Sequence, residues 1–85
     1  MKNKTKRLEL EQLLSQIYSN DNTYNGSFCS FSFDEVEFIS VNSVLIYVRE
    51  VIVKLEEDCL GISTNSVFIE IKYSDITNFS IIFID

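Results

Sequence analysis

The chain contains no histidine, proline, alanine or tryptophan, and only two glycines and two cysteines. Without histidine it lacks the commonest general base and metal-ligating side chain. Cys29 and Cys59 are too few for a disulfide framework and cannot by themselves complete a structural zinc site. Neither has a basic neighbour to activate it. Cys29 lies between Phe28 and Ser30, and Cys59 follows the acids Glu56, Glu57 and Asp58, which disfavour a thiolate. Both read as buried, reduced thiols in apolar strands. Gly26 and Gly61 are far apart and form no phosphate-cradling loop. These absences leave no catalytic, cofactor or metal site to expect, and point away from an enzyme.

Long apolar runs are also missing. Nothing approaches the roughly 20 residues of a membrane-spanning helix. The basic start, Lys2, Lys4, Lys6 and Arg7, leads into a segment interrupted by Glu9, Glu11, Gln12 and Ser15, unlike a signal-peptide core. A cytoplasmic protein is the expectation. The scarcity of Ala, Pro, Gly and Arg, with Ile, Asn, Lys, Phe and Tyr plentiful, matches AT-rich codon usage and says little about structure.

What is present suffices for one small domain. The 85 residues are 46% apolar, enough to build a core. Net charge is −6, unevenly placed. Beyond the first seven residues, thirteen acids face only Arg49, Lys54 and Lys72, a balance of −10. A body of that sign repels nucleic-acid phosphates and is attracted to basic surfaces. Solubility alone is the plainer reading of such charge.

A short repeat organises the chain. Residues 39–49 read ISVNSVLIYVR and residues 62–72 read ISTNSVFIEIK, offset by 23. In the second copy Val67, Ile69, Ile71 and Tyr73 alternate with Phe68, Glu70 and Lys72, the period of a strand with one buried face. Asn65-Ser66 suits a tight turn, which makes 60–64 the incoming arm of a hairpin. By analogy, 36–41 and 44–49 form a hairpin around Asn42-Ser43. The first copy has a rival reading. On a helical wheel Val44, Leu45, Val48, Val51, Ile52, Leu55 and Cys59 fall in one sector, with Gly61 as C-cap. Against a helix stand its many β-branched residues and three acids at its last turn. As strand, 44–55 would run about 40 Å, too long for this domain, so a break at Arg49-Glu50 is expected.

Around the repeat, Leu10, Leu13, Leu14, Ile17 and Tyr18 have single-stripe helical spacing. They predict a helix over 4–20 with Thr5 as N-cap, after a frayed basic start at 1–7. Residues 20–27 read as a loop, with Tyr24 as an aromatic among turn residues. Cys29, Phe31 and Phe33 alternate with serines over 27–33, a half-buried strand. Asp34-Glu35 turns the chain before Val36 and Phe38, and Glu56-Glu57-Asp58 makes a second exposed turn. Ile76 and Phe79 return to the core, and 80–84 is a last strand apolar on both faces.

The predicted fold class is α+β, an N-terminal amphipathic helix followed by an antiparallel β-meander. The meander has five to seven short strands, as a small open barrel or strongly bent sheet. The alternative is α-β-β-α-β-β with a second helix at about 43–60. At fold level the first order resembles the Sm-like and other small β-barrels, although the Gly and Asn positions that mark Sm sequences are missing from 44–76.

The expected function is a non-enzymatic protein-interaction module. A concrete form is a small acidic inhibitor, of phage anti-defence or immunity type, that blocks a basic, nucleic-acid-binding partner. Its contact residues would be Asp34, Glu35, Glu37, Glu56, Glu57 and Asp58, with no direct nucleic-acid or membrane binding. The alternative is a structural homo-oligomeric subunit assembled through edge strands and the N-terminal helix. The uncharged run at 81–84 predicts a homodimer.

Overall fold

The computed structural model describes residues 2–18, 23–25 and 28–84, and the side chains of 5–17 and 30–84. Helix α1 (Lys2–Tyr18) is followed by β1 (Thr23–Asn25), β2 (Phe28–Phe33), β3 (Val36–Val41), β4 (Val44–Ile46), β5 (Val51–Leu55), β6 (Cys59–Ser63), β7 (Phe68–Lys72), a 3-10 turn (Tyr73–Asp75) and β8 (Phe79–Phe83). This is the predicted α+β order of a helix and an antiparallel meander. The meander is shared between two sheets, β1-β2-β5-β6-β7 and β4-β3-β8, neither closed into a barrel.

Period-2 patterning explains the larger sheet. Phe31, Val53, Ile62 and Ile69 pair across β2, β5, β6 and β7 and form one inward row. Phe31, Val53 and Ile62 are fully buried and Ile69 half-buried. The next row, Ser30, Lys54, Gly61 and Glu70, faces outward. Burying each inward Val, Ile, Leu or Phe contributes about 1.5–3 kcal/mol, which holds this register against a one-residue slip. The second helix considered for 43–60 does not form. That stretch is β4, a bend at Arg49-Glu50 and β5, with Val51, Val53 and Leu55 inward and Ile52 outward. The tertiary sheet rewards its β-branched residues, where a helix does not.

Helix α1 covers the inner face, packing on β2, β5 and the 3-10 turn. Leu10 and Leu14 are buried; Leu13 and Ile17 are half-buried, as the stripe predicts. The side chain of Tyr18 lies outside the described residues. The helix starts at Lys2, so residues expected to fray are helical and Thr5 lies inside it instead of capping it. Arg7 fastens the helix to the sheet: Nε donates to Glu56 O and Nη2 to Leu55 O, both at 3.1 Å.

The two repeats are two hairpins of matching register. Ile39 pairs with Ile46, and Ile62 with Ile69. Their turns differ. Asn42 and Ser43 both have positive φ, 53° and 69°, the type I′ geometry that matches strand twist. Asn65 and Ser66 do not adopt positive φ. There the Thr64 hydroxyl accepts the N–H groups of Ser66 and Val67, at 3.2 and 3.0 Å, and closes the turn. Val67 therefore belongs to the turn and is half exposed, while Tyr73 is buried in the 3-10 turn; the shared face within β7 is Ile69 and Ile71, with Glu70 outward.

The β3–β4 hairpin is an excursion from the larger sheet between β2 and β5. Glu35 turns the corner with φ 56°, and Val36 N–H donates to Arg49 O at 3.0 Å across the base. Strand β3 carries a bulge at Glu37, which shifts its inward residues from Val36 to Ile39 and Val41. Strand β8 then pairs with β3, and Phe83 meets Phe33 of the larger sheet edge-on at 6.0 Å. The loop expected over 20–27 falls partly outside the described residues. Its middle, 23–25, is β1 paired to β2, so Tyr24 stands in a strand.

Candidate interaction surface

The six acids singled out from the sequence do not form one face. Asp34 and Glu35 follow β2, at the end where Phe33 pairs with Val51. Glu56, Glu57 and Asp58 join β5 to β6, at the end where Leu55 pairs with Leu60. The length of β5 separates the groups, about 17 Å at 3.3 Å per residue. At that range exposed charges are largely screened at physiological salt.

The first group is larger than the sequence suggests. Asp34 and Glu50 line one shallow cleft of about 300 Å³, with Ser32, Ser63 and Asn65. Glu37, on the β3 bulge, lines the neighbouring groove with Arg49 and Tyr47. Asp34, Glu35, Glu37 and Glu50 are all exposed. Among the described residues none of these four is held in an ion pair. Glu50 carries no such signal in the sequence, because only the Phe33–Val51 pairing brings it beside Asp34.

The second group is partly committed to the fold. Glu57 and Asp58 are exposed, but Glu56 is half-buried. Its carbonyl accepts hydrogen bonds from Arg7 Nε and the Tyr73 hydroxyl. Its carboxylate lies over Gly61, beside the Phe68 ring. The expectation of an outward-reaching Glu56 is therefore corrected: the close approach at Gly61 draws the side chain along the sheet.

Glu56 also meets Cys59 and Glu70, with two carboxylates and a thiol within 4.8 Å of one another. Cys59 Sγ donates to Glu56 Oε1 at 3.7 Å. Burial pushes the Cys59 thiol above its usual value, and the charges of Glu56 and Glu70 push it further. A thiol held protonated is a poor nucleophile. Cys59 is half-buried and free, while the side chain of Cys29 lies outside the described residues.

The basic start contributes less free charge than the sequence implies. Lys6 pairs with Glu9 at 3.7 Å, and Arg7 with Glu11 at 3.8 Å besides its carbonyl contacts. The surface also carries apolar groups. Leu45, Tyr47 and Ile82 are exposed on the smaller sheet, with Tyr47 packed 5.5 Å from the Phe38 ring. No helix among the described residues is long and apolar enough to cross a membrane. No protein-family model, curated protein or solved structure matches this chain.

Proposed function

We propose that the protein is a non-enzymatic interaction module that meets a basic partner through the end of the larger sheet carrying Asp34, Glu35, Glu37 and Glu50. The supporting observation is their convergence: four exposed carboxylates from two chain segments share one end, with Arg49 as the nearby base. Such a group imitates the charge of a short phosphate backbone and complements a nucleic-acid-binding groove. An inhibitor that occupies such a groove is the concrete form of this reading. Glu57 and Asp58, at the far end, are secondary.

The test uses an immobilised arginine-rich peptide as the basic probe, read by association rate against salt. Replacing Asp34 and Glu37 with Lys, a charge change equal to that of the comparison variant, should slow association and flatten its salt dependence. The Glu57→Lys/Asp58→Lys variant should change both much less. Equal effects from the two sets would reduce the reading to net charge alone and reject a localised site. A lysate capture comparing the same variants then identifies the natural partner.

A further inference from the structure

The smaller sheet ends in β8, and β8 has an open side. Among the described residues its one strand neighbour is β3. The phase of its backbone follows from two hydrogen bonds. Asn42 N–H donates to Asn78 O at 3.0 Å, and Ile84 N–H donates to Glu35 O at 2.9 Å. In an antiparallel ladder the N–H and C=O of one residue point to the same side, and successive residues alternate. Residues 78, 80, 82 and 84 therefore turn towards β3. Phe79, Ile81 and Phe83 turn their N–H and C=O groups to the open edge.

The other edges of the two sheets are defended. β1 and β4 have three residues each, and β7 carries Glu70 and Lys72. β8 has five residues, and residues 79–84 include no charge and no proline. Short length, charge and proline are the devices that keep edges unpaired. In a chain of net charge −6, an uncharged edge is also where a second copy approaches with least repulsion.

From these observations we infer that β8 pairs with β8 of a second copy, antiparallel, about a two-fold axis through Ile81. The outward row is self-complementary in that register. Phe79 meets Phe83 of the second copy, Ile81 meets its own equivalent, and all six outward N–H and C=O groups of each strand find partners. On the outer face Ser80 comes opposite the second copy's Ile82. The result is one sheet of order β4-β3-β8-β8-β3-β4. The antiparallel register also places the acidic Glu35 end of one copy beside the uncharged Asn78 end of the other. The nearest acid described there, Asp75, precedes β8 by four residues. Parallel pairing would bring the two acidic ends together. Ile82, Phe83 and Ile84, each about two-fifths exposed, flank the edge. That surface is smaller than the roughly 800 Å² per partner of a standard interface, so a micromolar dissociation constant is expected.

Sedimentation of the intact chain from 1 to 200 µM, with backbone amide exchange followed by NMR, tests the pairing. The expected result is growth from 9.9 kDa to twice that mass. The amides of Phe79, Ile81 and Phe83 should become protected as the dimer forms. Ser80→Lys places a charge beside the axis without removing a core contact and should keep the chain monomeric. Ile52→Lys, on the outer face of the larger sheet, should dimerise like the parent. A 9.9 kDa mass throughout overturns the inference. So does a dimer in which Phe79, Ile81 and Phe83 still exchange freely, or one that Ser80→Lys leaves intact. Binding of a foreign strand to a monomer that never self-associates would also count against it.

Discussion

The side-chain oxygen of Asn42 accepts the backbone N–H of Thr77 at 2.7 Å. The same oxygen accepts the Thr77 hydroxyl at 2.9 Å and Asn78 N–H at 3.3 Å. The Asn42 Nδ2 group donates to Asp75 O at 2.7 Å. One side chain in the β3–β4 turn thus holds the segment that leads into β8. Asn42 also has φ 53°, where asparagine is the best tolerated residue after glycine.

Asn42→Ala should therefore lose both the network and a comfortable backbone, at about 2–3 kcal/mol. Asn42→Gly keeps the backbone and should cost about 1 kcal/mol less. Urea unfolding of the two variants separates the terms. Equal losses would mean that the hydrogen bonds alone set the cost. The equivalent Asn65, without positive φ, should tolerate alanine within about 0.5 kcal/mol.

Burial pushes the Tyr73 phenol well above its usual value, against the opposing pull of the Arg7 guanidinium. An unfolded tyrosine ionises near pH 10. The folded chain holds this proton longer, so stability is full below about pH 10 and falls as pH rises beyond it. Tyr73→Phe cannot ionise and should show a shallower alkaline decline. At neutral pH it should be less stable by about 1 kcal/mol, for the lost bond to Glu56 O. Urea midpoints at pH 7 and pH 11 make the comparison; parallel declines would remove Tyr73 as the cause.

Cys59 should react slowly with iodoacetamide at pH 8, since burial and then Glu56 and Glu70 disfavour its thiolate. Glu56→Gln removes the carboxylate charge with the stronger influence on the thiol and should speed alkylation at this site, read by peptide mass mapping. An unchanged rate would remove Glu56 as a cause.

Much of the fold is legible in the residues because it rests on local periods. The stripe at Leu10, Leu13, Leu14 and Ile17, the alternation of Val51, Val53 and Leu55, and the repeated Asn-Ser turns are each local events. The break at Arg49-Glu50 follows from length alone. The helix start is not legible in the chain, because Thr5 is a good cap residue in isolation and the contacts of Arg7 with Leu55 and Glu56 lie almost fifty residues away. The candidate site was half legible. Acid clusters at turns are visible in the chain, but neither their separation by β5 nor the addition of Glu50 is.

The sequence by itself determined the N-terminal helix, its apolar stripe and the second of the two hairpins, because each depends on side-chain period and turn chemistry within about a dozen residues; strand over helix at 43–60, and with it the first hairpin, was decided by the sheet. Only the tertiary structure decided how those hairpins divide between two sheets. That division rests on a positive φ at Glu35, a bulge at Glu37 and a hydrogen bond from Val36 to Arg49. It also decided that β8 is an edge and that Glu56 lies along the sheet instead of in solvent. Each of these depends on which distant residues become neighbours, and neighbours across a sheet are set by burial of the whole inward surface together.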